Sequence, residues 1–390
     1  MASDERGERR VFHALDGMRG VAAVFVAMRH TAFFHKLGIP GGYLAVDLFF
    51  VLSGFVIAHA YERRLEQGLS PGRFLTLRYV RLWPVYALGA VLGLVAALVH
   101  ALPGRDGLTA VQVAHTAPFA LAMLPGPHVR PMLYPVNSVA WSLALELIIN
   151  AVYAFVWRPL RRPWVLAVTL LVSALALVGA VLWFGKLDIG FLWRDALGGV
   201  PRVVFSFTAG LAVYRLYRRA AWRPKAPAWL VLAALPALFI IDIDRIVYPL
   251  VCVLAIFPAL VFAAAAAPQP GPRLTRLFAG LGAASYPLYA LHKPLGEIVT
   301  MTLNRAAPEV LRHWAVLAGA PYLIAILVGS LLIERFYDRP VRQALNAAVI
   351  KAGRLANRWA RRMIAPVLAW AAAWRISDSF SPAENEEPIA

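Results

Sequence analysis

Charge and cysteine are both scarce in this 390-residue sequence. Its one cysteine, Cys252, excludes an intramolecular disulfide and any cysteine-rich metal site, and no metal is expected. Charged residues make up 15% of the chain and hydrophobic ones 60%, whereas soluble domains run at about 25% and about 45–50%. That balance excludes an ordinary soluble domain and indicates a polytopic membrane protein. Acidic residues are the scarcest charges: 21 Asp and Glu stand against 39 Lys and Arg, a net charge of +18. In a soluble chain such an excess would suggest nucleic acid. Here the basic residues fall in short segments between apolar runs, so they are expected to meet membrane lipids on the cytoplasmic side, with no nucleic-acid partner. A cleavable signal is also missing, because the first apolar stretch carries charge and lacks a small-residue cleavage pattern; the N-terminus is expected to be retained.

What is present in abundance is apolar sequence in runs of about 20 residues, the length that crosses a bilayer as a helix. Ten such spans are predicted at 15–35, 43–61, 82–100, 137–157, 164–184, 200–217, 227–243, 246–267, 279–303 and 315–334. The fold class is therefore all-α: a polytopic integral membrane protein with about ten transmembrane helices. With the N-terminus inside, basic residues outside the spans favour the cytoplasmic segments roughly threefold, in agreement with the positive-inside rule. Both termini are expected in the cytoplasm. The segment 108–124 is apolar but short and contains Gln112, His115 and Pro118. It is read as an interfacial or re-entrant piece of a long outer loop, because counting it as a span would invert the charge bias. The expected domains are a membrane domain over 1–348, a basic amphipathic cytoplasmic helix over 349–375 and a disordered tail over 376–390.

Asp16, Arg19 and His30 interrupt the first span, LDGMRGVAAVFVAMRHTAFF. A charge at mid-membrane costs about 2.5–3.5 kcal/mol on insertion scales, and such residues face a protein interior or mark a function. Eleven residues at 100° each return to within about 20° of the start, so Arg19 and His30 share a face about 16 Å apart. Asp16 and Arg19 are three apart and can pair.

Four blocks together resemble the membrane-bound acyltransferase-3 family: LDGMRGVAAVFVAMRH, VDLFFVLSGFVIA (46–58), RYVRLWPVY (78–86) and NSVAWSLALEL (137–147). Weaker echoes follow at 201–210, 285–295 and 333–342, so the resemblance covers most of the chain. It implies an enzyme that transfers an acyl group, usually acetyl from acetyl-CoA, to a hydroxyl of a glycan or a lipid-linked saccharide. The resemblance points to envelope or exported acceptors such as exopolysaccharide or lipopolysaccharide, modified by O-acetylation at the bacterial inner membrane.

Within that reading His30 is the candidate general base, since an imidazole suits proton transfer near neutral pH. Glu146 and Asp47 are the candidate carboxylates to orient it, Glu146 slightly preferred because its depth in its own span matches. Arg19, Arg78 and Arg81 are the candidate cations for the acyl-CoA donor, arginine being matched to phosphate; Arg19 is also a catalytic candidate at the thioester carbonyl. Asp16, Ser53, Trp141, Ser142 and His292 are supporting candidates. Ser53-Gly54 is read as a close-packing site rather than a nucleophile. Arg29 is expected to meet a carboxylate or the outer interface, and His292 and Lys293, mid-span in the ninth helix, are expected to line the same cavity. The alternative class is a transporter or glycan exporter that uses the same buried ions as a proton relay.

Overall fold

The computed structural model describes residues 10–101, 108–127, 129–222, 224, 226–241, 243–353 and 355. Among these there are helices and no strand. The helices are α1 (His13–Arg29), α2 (Ala45–Glu66), α3 (Pro71–His100), α4 (Ala110–Leu121), α5 (Ala140–Leu160), α6 (Pro163–Phe184) and α7 (Gly199–Arg219). They continue with α8 (Ala228–Ile240), α9 (Val247–Val251), α10 (Phe257–Ala266), α11 (Pro272–Ala306), α12 (Pro308–His313) and α13 (Ala315–Ile333). A π-helical turn, Cys252–Ile256, joins α9 to α10, and a second, Glu334–Asp338, follows α13. Local sequence sets several of the ends. Ser70 caps α3 by accepting from the Arg73 amide, with Pro71 at the first helical position. Thr109 and Gln112 form a capping box on α4.

Seven of these helical runs are long and apolar enough to cross a membrane, among the described residues: those of α2, α3, α5, α6, α7, α9–α10 and α13. They account for seven of the ten predicted spans; the other three overlap α1, α8 and α11, which do not meet that length and hydropathy. The three exceptions have separate causes. α8 has only 13 residues, α1 has 17 and carries polar groups, and α11 is long enough but carries the polar groups described below.

Contacts fix the relative directions of the helices. Asp47, Gly54 and Glu62 of α2 meet Arg202, Phe207 and Arg215 of α7 in the same order, so the two helices run parallel. α1 and α11 are also parallel, with Asp16 against Gly282 and His30 against His292. α3 and α5 run antiparallel, since Gly93 lies on Val136 while Arg78 bonds Glu146. The segment between α3 and α5 therefore returns to the side it left, and α4, 12 residues long, is too short to cross a bilayer core of about 30 Å. Its end docks against the middle of α3, where Trp83 and Tyr86 donate to the carbonyls of Leu121 and Ala120.

Gly54 and Gly210 bring α2 and α7 into backbone contact. A Cβ on Gly54 would sit 2.0 Å from the Phe207 carbonyl oxygen, and one on Gly210 would sit 2.1 Å from that of Val51. Both neighbours are backbone and cannot rotate away. Gly54→Ala is accordingly expected to destabilise the protein by about 1–3 kcal/mol, the usual scale of overpacking. Thermal melting of purified protein checks this, with Gly179→Ala, whose Cβ would meet nothing within 4 Å, expected to melt like the parent.

Residues 10–339 belong to one compact unit, and residues from Pro340 onward form a second. Positions 340–353 of that second unit are helical. The expected amphipathic helix at 349–375 and the tail at 376–390 fall, apart from 349–353 and 355, outside the described residues.

Candidate active site

Two cavities meet inside the first unit. The smaller, of about 150 Å³, is lined by Arg19 of α1, Phe50 and Ser53 of α2, Arg78 and Arg81 of α3, Ser142 and Glu146 of α5, and Tyr286 and Tyr289 of α11. Three arginines thus share one chamber. Glu146 accepts at one oxygen from both Arg78, at 2.8 Å, and Ser53, at 3.0 Å. Arg81 pairs with Asp338 at 3.3 Å and lies over the Tyr286 ring. The Arg78 Nε is buried with no hydrogen-bond partner among the described residues. A guanidinium edge left open beside a cavity suits an anionic ligand with phosphate oxygens.

The larger cavity, of about 770 Å³, falls within the range of about 300–1,000 Å³ usual for small-molecule sites. Arg29, His30, Tyr43, Trp141, Asp188 and Lys293 are among its lining residues. Val46 and Tyr289 line both cavities and stand between them. Tyr289 is held in that wall by a 2.6 Å hydroxyl–hydroxyl bond to Ser142 and by edge-on packing against Phe49.

His30 lies at the end of α1 rather than inside it, as the C-cap residue. Its partner is neither predicted carboxylate. His292, fully buried on α11, places Nε2 3.2 Å from His30 Nδ1. The hydrogen-bond partners assign the tautomers of the neutral pair. His292 Nδ1 is 3.1 Å and 2.8 Å from the carbonyl oxygens of Leu288 and Tyr289, so the proton is on Nδ1 and Nε2 offers a lone pair. His30 Nδ1 then faces two acceptors, His292 Nε2 and the Val26 carbonyl oxygen at 2.9 Å, and must carry its own proton. The lone pair of His30 is left on Nε2, which has no hydrogen-bond partner among the described residues. This is the arrangement of a base oriented by a second group, with a histidine in the orienting position.

The expectation that Glu146 or Asp47 orients His30 is thereby corrected. Glu146 is engaged by Arg78 and Ser53 in the smaller cavity. Asp47, fully buried, is bound by Arg202 through two bonds of 2.7 and 3.2 Å. The sequence reading brought Glu146 level with His30 by running the first span to 35, but α1 ends at Arg29, so His30 lies at the end of its helix, where α11 packs on it, and Glu146 lies deeper, with Arg19 and Arg78. Arg29 meets a carboxylate as expected, Asp188 at 2.9 Å. Arg19, Arg78 and Arg81 are brought together, with Ser53 and Ser142 beside them. Trp141 lies under Arg202 in the larger cavity, and Lys293 lines that cavity while pairing with Glu297. Asp16 packs against Gly282 near the start of α1, away from both cavities. Sequence reading did not single out Arg202 as a partner, nor Tyr43, Asp188 or Tyr289. Among the described residues no group of three or more His, Cys, Asp or Glu is placed to hold a metal.

Residues 12–335 match a family model described as an acyltransferase domain, that of the acyltransferase-3 family. Three curated proteins are similar. "Protein 2 in picA locus" of Rhizobium radiobacter is 45% identical over 37% of this chain and 81% of its own length. BcsY of Komagataeibacter xylinus, named as a candidate membrane-bound transacylase, is 29% identical over 92% of this chain and 89% of its own. The exopolysaccharide production protein ExoZ of Rhizobium meliloti (strain 1021) is 27% identical over 86% of this chain and 99% of its own. No solved structure matches.

Proposed function

The chain belongs to the acyltransferase-3 family of membrane enzymes, and from that premise we propose that it moves an acetyl group from acetyl-CoA to a hydroxyl of an exported or envelope glycan. The observation that carries the reading is the pair of adjoining cavities, one basic and one holding a base with a free lone pair. The glycan acceptor is supported by the similarity to ExoZ, whose name ties it to exopolysaccharide production. An inner-membrane location with both termini cytoplasmic is supported by the roughly threefold bias of basic residues. In that orientation the arginine cavity lies nearer the cytoplasmic ends of α1 and α3, where a coenzyme A thioester would arrive, and His30 lies toward the opposite face.

In this mechanism Arg19, Arg78 and Arg81 hold the donor's phosphates and orient the thioester toward Tyr289 and Val46. The acceptor hydroxyl hydrogen-bonds to His30 Nε2, which takes its proton as the oxygen attacks the thioester carbonyl carbon. The C–S bond then breaks, and the imidazolium returns the proton to the departing thiolate, giving an ester and free coenzyme A. His292 acts as a positioning residue: it keeps the His30 proton on Nδ1 and the basic lone pair toward the acceptor.

The donor side is tested by calorimetry with acetyl-CoA on the purified protein. Arg78→Gln combined with Arg81→Gln is expected to weaken donor binding by about 1.5–3 kcal/mol per lost charge-assisted contact, with the thermal midpoint monitored in parallel. An unchanged dissociation constant in a folded variant would reassign both arginines to anchoring and remove coenzyme A from this cavity.

A further inference from the structure

A third cavity, of about 270 Å³, adjoins the His30 chamber and shares Arg29, Pro40, Tyr43 and Asp188 with it. Its other polar lining is Lys186, Asp244 and Arg245, from the loops that follow α6 and α8, and Tyr248 of α9. The partition between the two chambers is a fixed structure. Arg29 donates to the carbonyls of Ile39 and Pro40 at 3.1 and 2.9 Å, pairs with Asp188 and stacks over Tyr43. These bonds use three of the five guanidinium N–H donors and fix the side chain in the wall, whereas Asp188 meets Arg29 through one oxygen only and keeps the other for a ligand hydroxyl.

The charges of this outer chamber do not cancel. Arg29 and Asp188 neutralise each other. Asp244 accepts from the backbone amides of Ile246, Val247 and Tyr248 at the start of α9, so its carboxylate is turned into the chain. Lys186 and Arg245 have no ion-pair partner among the described residues. Three cations against two carboxylates leave the chamber one net positive charge, carried by Lys186 and Arg245, beside two tyrosine rings and one open carboxylate oxygen, in a recess that shares a wall with the one that holds the candidate base. A single hydroxylated sugar at His30 would leave it unused.

We propose that the acceptor is an acidic oligosaccharide lying across the two adjoining chambers, over the Arg29–Asp188 partition, its reacting sugar at His30 and a carboxylate or phosphate of a neighbouring sugar against Lys186 and Arg245. This rests on the glycan acyltransferase reading above and adds to it both the extent and the charge of the acceptor. The tyrosines supply flat faces for sugar rings, Asp188 accepts from hydroxyls, and the two cations select for acidic residues.

The test uses tetragalacturonic acid and its methyl ester, which share length and ring structure and differ in charge. Binding and acetyl transfer from acetyl-CoA are measured on the full chain in phosphatidylcholine nanodiscs, which exclude anionic headgroups as competitors. The acid is expected to bind roughly tenfold more tightly than the ester, a factor equivalent to about 1.4 kcal/mol. In Lys186→Gln combined with Arg245→Gln that difference is expected to close. Equal binding of the two forms, binding of neither, or a difference untouched by the double variant would overturn the proposal. So would loss of the acid–ester difference in parallel nanodiscs that contain phosphatidylglycerol together with retention of that lipid by the parent and not by the double variant, which would assign Lys186 and Arg245 to a lipid headgroup. Acetylation of both forms at equal rates would overturn it while leaving the glycan reading intact. Coenzyme A release with no acetyl group on any carbohydrate hydroxyl would overturn the glycan reading itself.

Discussion

Replacing His30 by Ala is expected to lower acyl transfer by a factor of about 10² or more, the usual contribution of a positioned acid–base group, while acetyl-CoA binding survives. The two effects separate because His30 lines the larger cavity and the arginines line the other. His30→Gln should fare no better, since an amide can hydrogen-bond but cannot take the acceptor's proton. His292→Phe is expected to cause a smaller loss: it fills the space but removes the acceptor that holds the His30 proton on Nδ1. His292→Gln, whose side-chain oxygen can accept that bond, should recover part of it and should also bring the pH profile back toward that of the parent. Transfer assays with a radiolabelled acetyl donor read all four variants. Near-normal acetylation by His30→Gln at normal expression would make His30 a packing residue and end the proposed mechanism.

The helical order was legible from apolar run length alone, because a bilayer imposes a fixed length on every crossing segment. Even the segment at 108–124 could be kept out of the count by its polar residues and by charge. Depth was less legible: a rise of about 1.5 Å per residue converts sequence position to height only once the helix ends are known, and α1 ends at Arg29 rather than at 35, which puts His30 at the end of its helix and off the level of Glu146. Neighbourhood was not legible. Periodicity tells which residues share a face of one helix, but not which other helix that face meets, and His292 entered the sequence reading as an unexplained ionisable group without a partner. Arg202 shows the same gap. It falls at the edge of its predicted span, where a cation is ordinarily an interface residue, and nothing in its local sequence names Asp47. The pairing is visible only when the parallel register of α2 and α7 is known, with Asp47–Arg202 toward one end and Glu62–Arg215 toward the other. The arginines of the smaller cavity were easier to find. They lie in two of the motif blocks near the cytoplasmic ends of their spans, where arginine–phosphate chemistry pointed to the donor, and the fold brings those blocks to one place.

That Asp47–Arg202 pair supports the strongest expectation about stability. Both side chains are fully buried, and the guanidinium also donates to the carbonyls of Ile189 and Tyr43 and lies over the Trp141 ring. Asp47→Asn leaves the cation in place without its countercharge. Breaking a buried pair from one side costs about 3–5 kcal/mol, a large share of the roughly 5–15 kcal/mol that holds a typical domain folded. The variant is therefore expected to accumulate poorly and to melt well below the parent. Replacing both residues, Asp47→Leu with Arg202→Met, removes the charge and its partner together and is expected to melt closer to the parent than either single change, because desolvation of the pair is then no longer required. The comparison also separates structure from chemistry. If Asp47 served the reaction, Asp47→Asn would keep its thermal midpoint and lose transfer. The bonds to Arg202 predict the reverse order: stability falls first, and any residual folded Asp47→Asn protein retains a His30–His292 pair competent to take a proton.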